Sequence, residues 1–258
     1  MRTLEIARYV TPLREGGSLP AIVEADDGEL YASKFAGAGQ GPKALIAELL
    51  AGEIGRALGL PIPKLALLRL DPAIGRNEGD PEIRDLLRAS AGLNLGMAYL
   101  PRSFAFSPQV YAIPGPQASE IVWFDAYISN VDRTLRNVNM LVSDGQLWLI
   151  DHGAALYFHH SWEGYLDRSA SPFPYIRDHV LLPQADGLLG ADARLKPRLP
   201  PEIIREIVGL IPEAWLGEEP GFASLEEHRG AYTEYLLRRL EFSELFVREA
   251  MDARAKRL

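Results

Sequence analysis

The sequence predicts an α+β fold in two lobes, a small β-rich N-terminal lobe and a larger, mainly helical C-terminal lobe. Three observations lead to this prediction. Short apolar runs separated by turn signals dominate the first part of the chain, one helical stretch interrupts them, and helical periodicity dominates the second part. A chain of 258 residues is also long enough for two lobes with a substantial shared core. We therefore divide the chain into residues 1–100 and 101–258.

The N-terminal lobe contains a hairpin and one long helix. Ala21–Ala25 and Glu29–Phe35 are apolar runs on either side of Asp26-Asp27-Gly28, a sequence typical of a hairpin turn. Residues 43–58 predict a helix, because apolar residues recur there about once per turn and Gly59 then ends the pattern. The remaining elements predicted for this lobe are a strand at 65–70, a short helix at 82–89 and a strand at 93–100 that runs into an extended connector.

The C-terminal lobe begins after a segment rich in proline and glycine. We predict a helix at 119–129, followed by two short strands, 140–142 and 147–150, around a turn at 143–146. Helical periodicity returns at 202–210 and continues from 225 to 253. The strand pair lies between helical segments, so its ends are where loops would carry polar residues.

Composition and charge exclude several classes of function. The chain has a formal net charge of −8, which makes nucleic acid a poor partner because phosphate backbones are repelled. It has no cysteine, which excludes disulfides, thiol catalysis and thiolate metal sites. The N-terminus lacks the apolar core of a secretory signal, and no apolar run is long enough for a membrane span. We therefore expect a cytoplasmic protein.

Three polar residues lie at the ends of the predicted elements around the strand pair. Asp132 lies in the loop that follows a helix, Asn137 comes five residues later, and Asp151 follows the second strand. The strand pair brings Asn137 and Asp151 close together, and an amide oxygen and a carboxylate suit Mg²⁺. Asp132 then lies where a base would orient an attacking hydroxyl. The alternative is that these residues only cap turns, but three of them at these spacings favour a site.

Lys34 supplies a candidate cation from the first lobe. It lies within the apolar strand Tyr31–Phe35, where a lysine must either find an anion or reach solvent. Two glutamates of the following helix, Glu48 and Glu53, are possible partners that face different directions.

These residues carry a resemblance to a known family. Asp132, Asn137 and the strand-borne Asp151-His152-Gly153 resemble the catalytic and metal loops of protein-kinase-like folds. The finer pattern, from Gly41-Pro42-Lys43 through Glu48 to Asn130-x-Asp132-Arg133, is similar to the HipA-like kinase family, which is related to phosphatidylinositol kinases. The resemblance covers about residues 18 to 156. Asn130 and His152 stand where ordinary protein kinases have histidine and phenylalanine.

The resemblance implies an ATP-dependent phosphotransferase, most specifically a serine/threonine protein kinase. Asp132 would be the catalytic base, Asn137 and Asp151 the Mg²⁺ ligands, and Lys34 the contact to ATP phosphate. Glu48 would hold Lys34. Two backbone segments would complete the ATP site, a phosphate loop at Gly16, Gly17 and Ser18 and an adenine-binding hinge at Met97, Ala98, Tyr99 and Leu100.

Several alternatives remain at this stage. The chain could instead be a small-molecule or lipid kinase, or a pseudokinase that binds nucleotide without turnover. Arg133 and Arg136 flank the catalytic loop and could either hold a phosphate or a substrate acid, or pair with surface carboxylates. The phosphoryl acceptor itself has no motif in the helical half.

Overall fold

A computed structural model of the chain describes residues 1–13, 19–39, 41–76, 78–217 and 219–257. The predicted phosphate-loop residues Gly16, Gly17 and Ser18 lie outside the described residues. The described part begins with strands and ends with helices, as the α+β prediction requires. Its strands are β1 (Thr3–Pro12), β2 (Ala21–Ala25), β3 (Leu30–Lys34), β4 (Leu65–Leu70), β5 (Gly92–Ala98), β6 (Phe104–Ala105), β7 (Met140–Ser143) and β8 (Gln146–Leu149).

The helices lie mostly in the second half of the chain. In the described part of the chain, four short 3₁₀ turns accompany the α-helices, at Tyr157–His160, Pro174–Asp178, Leu182–Gln184 and Lys196–Arg198. The α-helices are α1 (Gly41–Ala57), α2 (Pro81–Ala89), α3 (Gly115–Tyr127), α4 (Tyr165–Ser169), α5 (Leu188–Leu195), α6 (Pro201–Val208), α7 (Glu213–Leu216), α8 (Leu225–Glu241) and α9 (Ser243–Ala255).

Five strands of the first half form a closed barrel in the order β1-β2-β3-β5-β4. The hairpin of β2 and β3 has the predicted turn, with Gly28 at a φ of 79°. Strand β1 pairs antiparallel with β2 and parallel with β4, which closes the barrel. The sequence did not reveal β1, because only Leu4 and Ile6 of its ten residues are buried. The alternating apolar pattern on which the prediction depends is limited to residues 3–6 of this strand.

Helix α1 connects the barrel to the helical half. It is buried on nearly all sides, because its leucines and isoleucines, together with Ala47 and Ala51, belong to the same hydrophobic cluster as the interior of α3, α6 and α8. An apolar pattern on every face is typical of a helix surrounded by protein. The two halves therefore share a core through α1, while the division at residue 100 stays a prediction.

The sequence predicted continuous helical periodicity from 225 to 253. The structure instead has two helices there, α8 and α9, which meet at Phe242. The backbone of Phe242 leaves the helical conformation with φ −93° and ψ 31°, and its amide donates to the carbonyl of Arg238. Phenylalanine is not a helix stop signal, so the composition of the segment does not predict this break. Within the described residues, no helix is both long and apolar enough to cross a bilayer.

Candidate active site

Lys34, Glu48 and Asp151 come from three distant parts of the sequence and meet at one ammonium group. Lys34 Nζ lies 2.7 Å from Glu48 Oε2 and 2.5 Å from Asp151 Oδ1. Lys34 ends β3, Glu48 lies within α1, and Asp151 follows β8, so the barrel, the helix and the hairpin each contribute one charge. Of the two glutamates left open by the sequence, Glu48 is the partner of Lys34. Glu53 instead pairs with Arg56, at 3.3 Å.

The charges of this cluster stabilise one another. Burial alone would raise the pKa of Glu48, but the Lys34 ammonium and the hydrogen bond with His152 lower it to about 2. Burial alone would lower the pKa of Lys34, but Glu48 and Asp151 outweigh burial and raise it above its ordinary value. Lys34 therefore stays charged and Glu48 ionised near neutral pH. The side chain of Asp151 is 47% exposed, so the cluster is open on the Asp151 side.

His152 ties the loop after β8 to α1. Its backbone amide donates to Glu48 Oε2 at 2.7 Å, and its ring packs edge-on against Phe124, with centroids 5.8 Å apart. The ring is fully buried, and its Nδ1 lies 3.5 Å from Glu48 Oε1. His152 therefore occupies an interior position with an aromatic neighbour, as a phenylalanine would.

Asp132 is the centre of a second polar cluster. Its Oδ2 accepts hydrogen bonds from Asn137 Nδ2 at 2.6 Å and from Asn139 Nδ2 at 3.2 Å. Its backbone amide donates to Asn130 Oδ1 at 3.1 Å. An asparagine that donates through Nδ2 keeps Oδ1, a hard oxygen ligand, for another partner. The structure thus brings Asp132 and Asn137 into contact and adds Asn139.

The two ends of the β7–β8 hairpin have unusual backbone conformations. Asn139, just before β7, has a φ of 49°, and Asp151, just after β8, has a φ of 56°. Asparagine and aspartate adopt the left-handed region more readily than other residues with a side chain. The bend after β8 is therefore made by Asp151 itself. Gly153, two residues later, has no positive φ.

Arg133 does not hold a ligand or pair with a surface carboxylate, the two possibilities that its sequence left open. Its guanidinium is buried and lies 2.6 Å from Asp125 Oδ2, inside the protein. Arg136 is exposed. A signal for Asp125 was present in the sequence, because a single carboxylate in the apolar run 121–127 requires a nearby cation.

The predicted hinge lies at the end of β5. The amides of Ala98 and Tyr99 donate to the carbonyls of Lys64 and Leu30, at 2.8 and 2.9 Å. Met97 is paired on both sides within the barrel, with Ala32 and with Leu65. The amides of Ala98 and Tyr99 are therefore used within the barrel, and an adenine-binding role of this segment stays a prediction.

Comparison with known proteins identifies the family of this chain. Residues 6–247 match the model of the HipA-like kinase family. The chain belongs to this family. None of the curated proteins compared with this HipA-like kinase gives a significant match.

Two solved kinase structures are similar in fold. A proinflammatory kinase of Helicobacter pylori, CtkA, has a TM-score of 0.57 at 14% identity, and the match covers 99% of each chain. A Golgi casein kinase with Mn/ADP bound has a TM-score of 0.50 at 13% identity, over 98% of this chain and 75% of the other. At such identities the likeness concerns the fold, and it confirms the two-lobed kinase-like architecture of this HipA-like kinase.

Proposed function

We propose that this HipA-like kinase transfers the γ-phosphoryl group of ATP to a serine or threonine hydroxyl of a protein, with Mg²⁺ as the metal. The single observation that carries the proposal is the placement of Lys34 Nζ between Glu48 Oε2 and Asp151 Oδ1. A lysine held by a helix glutamate and facing a partly exposed aspartate is suited to bind phosphate next to a metal ion.

The residues present fit a divalent cation. The carboxylate of Asp151 is partly exposed, and Asn137 is exposed with its amide nitrogen bound to Asp132, which keeps the amide oxygen for another partner. Mg²⁺ takes few protein oxygens and completes its shell with phosphate and water. When bound, the ion would neutralise charge on the phosphates. Asn137 and Asp151 would hold it, and Lys34 would add its own charge from the barrel.

Asp132 would act on the acceptor. Its carboxylate receives the proton of the hydroxyl while the hydroxyl oxygen forms a bond to the γ-phosphorus. The bond from that phosphorus to the bridging oxygen of ADP breaks, and ADP leaves. Asn137 and Asn139 orient the carboxylate through their hydrogen bonds to Oδ2. Catalysis of this kind depends on positioning and charge stabilisation rather than on covalent intermediates.

The test is transfer of label from γ-labelled ATP, with the chain alone and with a cell lysate. We expect label on serine or threonine of a protein, and loss of transfer by roughly 10²–10⁴-fold in Asp132→Asn with nucleotide binding retained. Asp144→Asn is the matched control, because Asp144 is an exposed aspartate that pairs with Arg102 on the surface. Equal activity of both variants would contradict the role of Asp132.

The same experiment separates the alternatives. Label on a lipid or a small molecule would show that the acceptor is not a protein. Nucleotide binding without any transfer would show that the chain is a pseudokinase. Binding is measured by thermal shift, since a ligand at a hundred times its Kd stabilises by about 2.7 kcal/mol. Comparing Mg²⁺ with Mn²⁺ tests the metal, because the similar Golgi casein kinase is described with Mn/ADP bound.

A further inference from the structure

Asp125 is a buried carboxylate with four hydrogen bonds. It lies in α3 and is fully buried. Oδ1 accepts from Asn130 Nδ2 at 2.8 Å and from Arg133 Nη2 at 3.4 Å, while Oδ2 accepts from Arg133 Nε at 2.6 Å and from His179 Nε2 at 2.9 Å. Burial alone would raise the pKa of Asp125, but the Arg133 guanidinium and the His179 bond hold it well below its usual range. The carboxylate is therefore ionised and both of its oxygens are occupied.

Two of the three partners of Asp125, Asn130 and Arg133, flank Asp132 in sequence. Asn130 uses its Nδ2 for Asp125 and its Oδ1 for the backbone amide of Asp132. Arg133 is the next residue after Asp132. One buried carboxylate thus fixes the chain on both sides of the proposed catalytic base.

Arg133 also reaches the hairpin that carries the proposed metal ligand. Its Nη1 donates to the carbonyl of Asn139 and, at 3.4 Å, to the carbonyl of Ile150. Ile150 directly precedes Asp151, and the Ile150 amide donates to the same Asn139 carbonyl at 3.1 Å. A single guanidinium therefore connects α3, the loop of Asp132 and the two ends of the hairpin.

His179 completes the arrangement from a third segment. Its Nδ1 accepts the backbone amide of Leu181 at 3.0 Å, so the ring proton is on Nε2, which donates to Asp125. Val180 donates its amide to the carbonyl of Arg133 at 3.1 Å. The segment after the 3₁₀ turn at 174–178 therefore supports the loop of Asp132 from the helical side.

We propose that Asp125 and Arg133 form a positioning unit that sets the distance between the base Asp132 and the metal ligand Asp151. The proposal rests on the proposed function, because it assumes those two roles. Both residues are buried and act through the backbone of the reacting groups, so they are positioning residues. Arginine is required because its planar fork donates to a carboxylate and to carbonyls on its other side, whereas lysine presents one ammonium.

A second buried arginine supplies the matched control. Arg239 is 1% exposed and donates to four carbonyls, those of Ala126, Tyr127, Ser169 and Ser171, without contact to the hairpin carbonyls that Arg133 reaches. The experiment compares Arg133→Lys with Arg239→Lys in the full chain. Urea unfolding gives the folded fraction of each, initial rates give kcat and KM for ATP, and a Mg²⁺ titration gives the metal requirement.

We expect both lysine variants to lose stability, and Arg133→Lys alone to lose kcat per folded molecule. The loss should be on the order of 10-fold to 10²-fold, because displacement of reacting groups by about 1 Å has effects of this size. The Mg²⁺ concentration for half-maximal rate should rise in Arg133→Lys and stay unchanged in Arg239→Lys. Unchanged kcat in Arg133→Lys, or an equal loss in both variants, would overturn the positioning role.

A double variant keeps the test decisive if Arg133→Lys does not fold. Asp125→Leu with Arg133→Met replaces the buried ion pair by apolar side chains, which avoids an unpaired buried charge, while Asn130 and His179 lose their acceptor at a cost of about 1–3 kcal/mol each. We expect a folded chain with reduced kcat, and full kcat would reject the proposal. Asp132→Asn, measured in parallel, separates the two hypotheses. If Asp132→Asn is inactive and the double variant active, only the positioning role fails, whereas full activity of Asp132→Asn contradicts the proposed function itself.

Discussion

Two ionic clusters contact the chain next to the β7–β8 hairpin, one through Asp151 and the other through the carbonyls of Asn139 and Ile150. They differ in how completely their charges are used. In the first, Lys34 is shared between Glu48 and Asp151, and the Asp151 side chain is 47% exposed. In the second, Asp125 and Arg133 are both fully buried, and four hydrogen bonds occupy the two oxygens of the carboxylate. The first cluster is open to a ligand and the second is closed.

Both clusters pair carboxylates with a cation, but their different exposure to solvent suits them to different functions. A buried charge whose bonding capacity is filled can fix the backbone but has nothing left for a substrate. Lys34, by contrast, faces a partly exposed carboxylate. When ATP binds, its ammonium can contact a phosphate in place of Asp151, and the Asp151 carboxylate is then available to a metal ion. We therefore propose chemistry for the open cluster and positioning for the closed one. Substitutions should then affect activity and stability differently in the two clusters.

The largest expected effect is on stability, in the closed cluster. Asp125→Ala leaves the Arg133 guanidinium buried without its carboxylate, and we expect a loss of about 3–5 kcal/mol in the free energy of unfolding. Asp151→Ala should cost far less, because Lys34 keeps Glu48 and partial exposure to solvent. Urea unfolding of both variants measures the difference. Similar losses at the two aspartates would show that the clusters are not distinct.

The second effect is on activity, in the open cluster. Lys34→Met removes the cation that is proposed to face phosphate, and loss of one such preorganised charge costs about 10²–10³-fold in turnover. The matched control is Lys43→Met, since Lys43 lies in the neighbouring α1 and pairs with Glu219 near the surface. Initial rates with γ-labelled ATP should fall in Lys34→Met and stay unchanged in Lys43→Met. A Lys34→Met variant with normal turnover would remove the main support for the proposed ATP site.

The third effect is a pH dependence that distinguishes two glutamates of α1. The pKa of Glu48 is lowered to about 2, so its stabilising contribution is complete above the ordinary value of 4.5 and is lost as pH falls from there toward 2. Burial raises the pKa of Glu53, which gives the opposite sign, because the folded state then binds a proton more readily as pH falls. Glu48→Gln should therefore flatten the loss of stability in acid, and Glu53→Gln should steepen it.

Urea unfolding at pH 7 and at about pH 3.5 measures these slopes. The wild-type chain should lie between the two variants. If Glu48→Gln shows the same acid loss as the wild-type chain, the ion pair with Lys34 does not contribute to stability in the way that the structure indicates.

The fold and part of the candidate site could be predicted from local patterns. The hairpin of β2 and β3 follows from its Asp-Gly turn, and α1 follows from apolar spacing with Gly59 at its end. The sequence also predicts a polar site at the ends of the short strands and loops that carry Asp132, Asn137 and Asp151. Their roles stay predictions, whereas membership in the HipA-like kinases is confirmed by the family match.

What the sequence could not reveal depends on contacts between distant residues. The choice between Glu48 and Glu53 is made by the orientation of α1 in the core, which no local pattern encodes. The closed cluster joins Asp125 to His179, 54 positions apart, so the buried state of Arg133 emerges only with the tertiary structure. The break at Phe242 is also hidden from local patterns, because no helix-stop residue stands there.

The smallest expected effect is on stability, and it concerns the space between Gly153 and the open cluster. A Cβ added at Gly153 would lie 3.6 Å from Glu48 Oε2 and 3.7 Å from Lys34 Nζ, which are ordinary contact distances. Since the backbone of Gly153 has no positive φ, Gly153→Ala should be tolerated and could gain about 0.4–1 kcal/mol by restricting the unfolded chain. Gly55→Ala is the contrast, because its Cβ would collide with Ile62 Cδ1 and lie 3.1 Å from Cζ of the buried Phe124 ring, which would overpack the core by about 1–3 kcal/mol. Thermal unfolding compares the two variants, and a large loss in Gly153→Ala would mean that the open cluster is packed as tightly as the closed one.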